Sequence, residues 1–509
     1  MTLVSRIFGF VRDMIIANKL GTSATSDAFF LAMILPNLLR RLFAEGAFNV
    51  VFVPILGRIQ EEKGQKAAEK FAASAYTTLA IILLVITLLA EFFMEPFISQ
   101  ILARGWADDP ERLELAVTLG RITFPYLMLI TFASLAGGIC NTYGNFAPFA
   151  ITPVLLNISF IAGLLILPKL GVDPAIAAAS SMTFGGILQM LYMAIALKKI
   201  KFDLSFTKNI KHKEMPNLLR RLGPAALAVG ILQISFLVDI LLASYLEDNA
   251  VSYLQFANRF YQQPLSLIGI ALATVLLPHL SKALKKQDKT AANKAFSEAA
   301  IHGFALSLFS TVTLMLLAFP LIHTLFGHGE FSLDAASLVA KAMQAYCIAL
   351  PAYIMTKITV TCFYANGDTK TPLIISAITL VINVIFNLIL MQKYGYIGIA
   401  FATSIAGWSN ATMQFIALRK QNFIQIEDMA VFKKKMGQSM LLALATYLVI
   451  TTIEFVLPYN EGGQTYIQIL WLAVVGLSAL CTFIYCAHLM KFFNAHDIMA
   501  AILKRRKKV

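Results

Sequence analysis

Some fourteen apolar stretches of roughly 20 to 30 residues follow one another almost without a break, and nothing else in the sequence constrains the fold as tightly. Each is long enough to cross a hydrocarbon layer of about 30 Å as an α-helix. They cover 3–20, 27–56, 70–98, 113–141, 147–168, 174–197, 217–245, 250–280, 295–325, 335–364, 371–391, 396–418, 437–457 and 466–490. Hydrophobic residues are 58% of the chain and charged ones 14%, with a mean hydropathy of +0.72. Soluble domains carry roughly half and a quarter. The expected fold class is therefore an all-α polytopic membrane protein of about fourteen transmembrane helices. The spacing leaves no room for a soluble domain. The start does not read as a signal peptide, because Arg6, Arg12 and Asp13 stand where an uncharged core belongs. Cys140, Cys347, Cys362, Cys481 and Cys486 lie inside apolar stretches without metal-type spacing, so they read as packing residues.

The net charge of +14 raises the question of a nucleic-acid partner. The cations, however, fall in alternate loops. Arg58, Lys63, Lys66 and Lys70 follow the second stretch, and Lys198, Lys199, Lys201, Lys208, Lys211 and Lys213 the sixth. Lys282, Lys285, Lys286 and Lys289 follow the eighth; Arg419, Lys420, Lys433, Lys434 and Lys435 follow the twelfth; KRRKK ends the chain. Intervening loops such as GTSATSD and PYNEGGQT carry none. The pattern places both termini and the basic loops in the cytoplasm, against anionic headgroups, and leaves no nucleic-acid role to explain.

FVPILGR aligns with LLPHLSK, pairing Pro54 with Pro278 at an offset of 224. The same offset pairs Pro148 with Pro372, Gly171 with Gly395, Ala178 with Ala402 and Ser180 with Ser404. Pro125/Pro351 and the NTYGN/YANGD turns match within three residues of it. Six helices followed by six of the same orientation make a parallel repeat. The expected organisation is an N-terminal lobe over 1–200, a second lobe over 214–420, an appended helix pair over 432–492 and a basic tail over 493–509.

A charge at mid-bilayer costs roughly 2.5 to 3.5 kcal/mol, so such residues face a bundle interior or a wet cavity. In PNLLRRLFAEGAF, Arg41 and Glu45 are four apart and can pair. Arg40 projects on the side of Asn37 with no acid one turn away. Arg6 and Asp13 share a face and are expected to pair, leaving Arg12 to project elsewhere. Arg259 and Lys357 are cations of the second half. If the lobes flank a cleft, Arg12 and Arg40 face Arg259 and Lys357 across it. Surplus guanidinium suits phosphate oxygens, because its planar fork donates two parallel bonds and stays charged. Asp239, Asn383, Asn387 and Thr403 form an all-oxygen set of the kind sodium accepts. They read equally as hydrogen-bonding glue between helices.

SRIFGFVRD, TSDAFFLAMILPNLLRRLFAEGAF and FVPILG resemble the opening of the MurJ/MviN lipid II flippase family, within the multidrug/oligosaccharidyl-lipid/polysaccharide exporter superfamily. The likeness continues through RITFPYLMLI, LLNISF, LLPHLSK and FYANGDTKTP, so it runs nearly the whole chain. It implies export of undecaprenyl-pyrophosphate-linked peptidoglycan precursor from the inner to the outer leaflet of the bacterial cytoplasmic membrane. It implies further that Arg12, Arg40 and Arg259 bind the pyrophosphate, that Arg6, Asp13 and Asp27 belong to the same charged set, and that Asp239, Asn383, Asn387 and Thr403 hold sodium. By the same likeness the last two helices form a groove for the lipid tail. The expected partner is lipid II, handled by a monomer that works alongside cell-wall synthesis proteins.

The rival readings are an exporter of another lipid-linked oligosaccharide, a drug/cation antiporter, and an intramembrane enzyme of prenyl phosphates. A drug exporter wants carboxylates in the cleft, where here they are the minority. An enzyme needs clustered acids or histidines, and the seven histidines are scattered. No phosphate-binding G-x-x-x-x-G-K-[ST] occurs. The chain reads as a transporter, with no cofactor beyond a sodium ion.

Overall fold

A computed structural model describes residues 2–41, 47–210, 212–246, 248–286, 288–423, 426 and 428–492. The basic tail and Glu45 lie outside them. The helices are α1 (Thr2–Leu20), α2 (Ala24–Arg40), α3 (Ala47–Lys63), α4 (Gln65–Phe97), α5 (Pro110–Thr123), α6 (Tyr126–Thr142), α7 (Ala147–Ile166), α8 (Pro174–Lys199) and α9 (Met215–Ala243). They continue as α10 (Ala250–Lys285), α11 (Lys289–Leu316), α12 (Ala318–Phe326), α13 (Leu333–Cys347), α14 (Leu350–Ala365), α15 (Lys370–Lys420), α16 (Met429–Val456) and α17 (Thr465–Leu489). No strand occurs among the described residues. Nine spans among them are long and apolar enough to cross a membrane, including Pro110–Thr142, Leu333–Ala365 and Lys370–Lys420. The chain is the polytopic all-α membrane protein its apolar stretches require.

Local chemistry sets the helix starts. Asp109 caps α5 by accepting the Arg112 N–H, Asp173 caps α8 through Ala175 and Ile176, and Asp288 and Asp428 do the same for α11 and α16. Pro110 and Pro174 follow their caps, where a missing N–H costs nothing. Prolines also divide expected single spans. The stretch 113–141 breaks before Pro125 into α5 and α6, and 335–364 breaks before Pro351 into α13 and α14. The expected separation of 371–391 from 396–418 is present within α15 as a kink at Gly395, whose φ of 55° and ψ of −138° are not helical.

The stretch 27–56, expected as one helix, falls on α2 and α3, and residues 42–46 between them lie outside the described residues. Arg40 is therefore the last residue of α2 and Arg41 its C-cap, with its backbone N–H on the carbonyls of Asn37 and Leu38.

The chain forms two compact units. The first comprises Met1–Ser252 with His328–Ser332. In it α7 and α8 pack closely because Gly163 lies against Ser181, with a Cβ there falling 1.8 Å from Oγ. The short segment 328–332 docks backbone to backbone on the α1–α2 turn. The Glu330 N–H donates to the Asn18 carbonyl at 3.0 Å, and Gly21, at φ +58°, has no room for a Cβ beside the Glu330 carbonyl. The connector 200–214 lies along α4. Gln65 Nε2 donates to the Lys201 carbonyl at 2.7 Å, and Ser74 Oγ to that of Ile210 at 3.1 Å. Arg58 of α3 closes the strap on Glu214 at 2.8 Å.

The second unit comprises Tyr253–Gly327 and Leu333–Val509. Leu276, Leu280, Phe296, Ile354, Ile358 and Phe363 make a core between α10, α11 and α14. α16 and α17 pack on α11 and α12 through Leu442, Ile450, Val475 and Phe483. Tyr459, between them, places its hydroxyl 2.7 Å from His323 Nδ1 and 2.8 Å from Thr324 Oγ1.

The hydrogen bond from Asn217, with the nearby Arg58, holds the Glu214 carboxyl below the usual glutamate range. A depressed carboxyl contributes stability that is present above the ordinary value and lost as pH falls through the folded one. The thermal midpoint in detergent should therefore drop as pH is lowered below about 4.3, and Glu214→Gln should flatten that part of the profile. An identical acid limb in the variant would show that the strap is not held by this charge.

Candidate functional site

The charged residues of the spans differ in what holds them, and that difference separates structural groups from available ones. The most enclosed is a pair that joins α2 to α5. Asp27 and Arg112 are 1% and 5% exposed. Arg112 Nη2 donates to Asp27 Oδ2 at 2.5 Å, while Asp27 Oδ1 accepts the Ser252 N–H at 2.7 Å and the Ser252 hydroxyl. Arg112 Nη1 reaches the exposed Asp248 at 3.0 Å, and its guanidinium lies 4.0 Å over the Trp106 ring. Every lone pair this acid needs to satisfy is met within the first unit.

Arg112 was not singled out by the sequence, which shows it only as a loop cation. One signal was present: an arginine in the first turn of a helix opposes the dipole and calls for its own anion.

Arg12 occupies an intermediate position. Its Nε and Nη2 donate to Asp13 Oδ1 at 3.0 and 2.7 Å, and its Nη1 to Asn157 Oδ1 at 3.0 Å. The expected Arg6–Asp13 pair is thus replaced by Arg12–Asp13. Adjacent residues leave a helix about 100° apart, but an arginine stem is long enough to fold back onto its neighbour's carboxylate. Arg6 is half-buried, and its Nη1 has no hydrogen-bond partner among the described residues. Asn157 of α7, also unsuspected from sequence, donates to the Ser5 carbonyl at 3.1 Å and so ties Arg12 to a fixed point on α1. Three of the five guanidinium donors of Arg12 are spent on protein.

Arg40 and Asn37 are half-buried in the last turn of α2. Arg41 is exposed and donates to Gln233 Oε1 of α9 at 2.7 Å; its expected partner Glu45 lies outside the described residues. Arg259 is half-buried on α10. Lys357 is half-buried on α14, and its ammonium makes no hydrogen bond or ion pair among the described residues. Arg259 and Lys357 belong to the second unit, whereas Arg6, Arg12, Asp13, Asp27, Asn37, Arg40 and Arg41 belong to the first.

Of the oxygen set, Asp239 is 7% exposed on α9 in the first unit, and Asn383, Asn387 and Thr403 are on α15 in the second. Asn387 Nδ2 donates to Asn383 Oδ1 at 3.3 Å, and Thr403 Oγ1 donates to the Ile399 carbonyl at 3.0 Å. With its proton so used, the Thr403 hydroxyl offers lone pairs, as do amide oxygens. The donor chemistry of the α15 groups fits a hard cation. Among the described residues no three His, Cys, Asp or Glu side chains gather as a transition-metal site would require.

An inward-facing multidrug resistance MATE family transporter of the MOP superfamily superimposes with a TM-score of 0.68 at 18% identity, over 84% of this chain and 96% of its own. The chain thus shares the polytopic all-α fold of that protein. A solved lipid II flippase MurJ in an inward closed conformation matches at TM-score 0.81 and 28% identity, covering 96% of this chain and 97% of that one. The lipid II flippase MurJ family model matches residues 16–468. The probable lipid II flippase MurJ of Rickettsia prowazekii (strain Madrid E) is 35% identical over 97% of this chain and 96% of its own length. The lipid II flippase MurJ of Burkholderia cenocepacia is 34% identical over 87% of each. The chain belongs to the lipid II flippase MurJ family.

Removing one partner of a buried ion pair leaves an uncompensated charge and costs about 3 to 5 kcal/mol. Arg112→Met should accordingly lower the unfolding midpoint in detergent strongly, and adding Asp27→Asn should recover part of the loss. A double variant as unstable as the two single losses added together would show that the two groups are not coupled.

Proposed function

We propose that this chain carries lipid II, the undecaprenyl-pyrophosphate-linked disaccharide pentapeptide, from the inner to the outer leaflet of the bacterial cytoplasmic membrane. The observation that carries the reading is the chain-long family match, reaching 97% of this sequence in one relative. The process is transport: no bond is made or broken, and the cargo is displaced across the bilayer. Alternating access presents the headgroup site first to the inner leaflet and then to the outer one. Both termini and the basic loops then face the cytoplasm.

The diphosphate is received by the cations of the spans. Lys357 and Arg6 bring donors that the described residues do not use. Arg12 keeps two free donors while Asp13 and Asn157 hold its plane fixed, so it approaches phosphate pre-oriented. Arg40, Arg41 and Arg259 complete the cationic set, and Asn37, on α2 with Arg40, adds a neutral donor. Asp27, committed to Arg112 and Ser252, serves the frame around the site. The tail stays in lipid along α16 and α17, and the protein acts as a monomer beside cell-wall synthesis proteins.

An inside-negative potential favours outward movement of anions by about 2.3 kcal/mol per charge per 100 mV. A diphosphate headgroup is therefore driven outward without nucleotide. Sodium, when bound, supplies a positive charge that biases the return of the empty carrier. Asn383, Asn387, Thr403 and Asp239 are the residues that would hold it.

Arg40→Ala in proteoliposomes should reduce the appearance of labelled lipid II in the opposite leaflet by about tenfold or more, equivalent to roughly 1.4 kcal/mol, with its unfolding midpoint unchanged. Normal translocation by that variant would remove Arg40 from the site.

A further inference from the structure

Lys357 has no acid or acceptor among the described residues to fix the direction of its ammonium. A lysine stem has four rotatable bonds and about 2 kcal/mol of rotamer entropy. Only packing can aim it.

The packing is specific. Gly269, buried on α10, faces the Lys357 stem across the α10–α14 contact, and a Cβ there would stand 2.4 Å from Lys357 Cδ and 3.1 Å from Cε. Its third neighbour, Ile354 Cδ1, would be at 3.5 Å, an ordinary contact. Other crowded glycines meet different matter. Gly105 and Gly398 face backbone, at 2.1 and 2.3 Å, and Gly303 faces the branched side chains of Ile358, Leu272 and Ile354. Among the described glycines, Gly269 alone has the stem of a cation as its nearest neighbour. That collision is with the far part of a flexible side chain, so it can be relieved by moving the ammonium, without shifting a helix.

We infer that Gly269 is a positioning residue for Lys357: the missing side chain on α10 is the slot that lays the lysine stem in one direction and presents its ammonium to the anionic headgroup. The inference rests on the reading of Lys357 as a headgroup contact. Confinement of the stem cuts the entropy lost when phosphate binds. An added methyl group sends the ammonium elsewhere while the surrounding core of Ile354, Ile358 and Leu272 keeps its shape.

The test measures initial rates of labelled lipid II translocation in proteoliposomes for Gly269→Ala, Lys357→Met and the double variant, each over a range of lipid II concentrations. Gly269→Ala should raise the half-saturating concentration about three- to tenfold with the maximal rate within about twofold of the parent. Its unfolding midpoint should be unchanged. In the Lys357→Met background the same glycine substitution should have no further effect, because the group it re-aims is gone. If Lys357→Met transports normally, the reading of Lys357 as a headgroup contact falls. If Lys357→Met is impaired but Gly269→Ala is not, the positioning role falls and that reading survives. An equal loss from Gly269→Ala in both backgrounds, or a clear fall in its midpoint, would overturn the inference in favour of ordinary helix packing.

Discussion

Putting a charge inside a hydrocarbon-spanning bundle costs several kcal/mol unless something answers it, and the arrangement of this chain follows from how each charge is answered. Arg112 is answered most fully: two carboxylates and an indole face surround it, and of its guanidinium nitrogens the buried Nε lacks a hydrogen-bond partner among the described residues. Its energy is spent on joining α2, α5 and the first turn of α10. Arg12 is answered in part, by one carboxylate and one amide. Lys357 is answered by nothing described except the apolar wall its stem lies on. The series runs from fixed architecture to groups with donors to spare. A carrier needs both ends of it, because a site that binds an anion must itself be held in place by charges that do not.

The apolar stretches were legible because the membrane demands length and composition, and both are local properties of the sequence. Helix ends were partly legible: the Asp-Pro pairs at 109–110 and 173–174 mark starts, and Pro125 and Pro351 mark breaks. The break at Gly395 was legible too: the stretches 371–391 and 396–418 were expected to be separate, and Gly395 stands between them outside helical geometry. The pairing of charges was least legible. Helical spacing finds partners three or four residues apart, whereas the partner of Arg12 is its immediate neighbour, and Asn157 stands 145 residues away. Arg112 and Asp27 are 85 apart. Such contacts are fixed by which helices meet, which periodicity on one helix does not contain.

At the sequence offset of 224 the glycines share a positive φ: Gly171 and Gly395 stand at 85° and 55°, with ψ of 9° and −138°. The turns NTYGN and YANGD, one residue off that offset, place Gly144 and Gly367 at 76° and 77°. What recurs is a positive φ, the property that glycine supplies at bends and caps.

The amides and hydroxyl of α15 do not recur at the same offset, and this bears on where a cation can be held. The counterparts of Asn383, Asn387 and Thr403 in the first half are Ser159, Gly163 and Ala179. There, Ser159 Oγ donates to the Ser181 carbonyl at 2.7 Å and Gly163 admits Ser181 against its Cα, so α7 and α8 close on each other at these positions. In the second half two buried amides and a hydroxyl take those places. Burying amides is costly where small residues would pack, and the first half shows that small residues do pack on this backbone. The polar version is therefore a departure that packing of this helix pair does not require, which supports the proposal that Asn383, Asn387 and Thr403 of α15, together with Asp239, hold a cation.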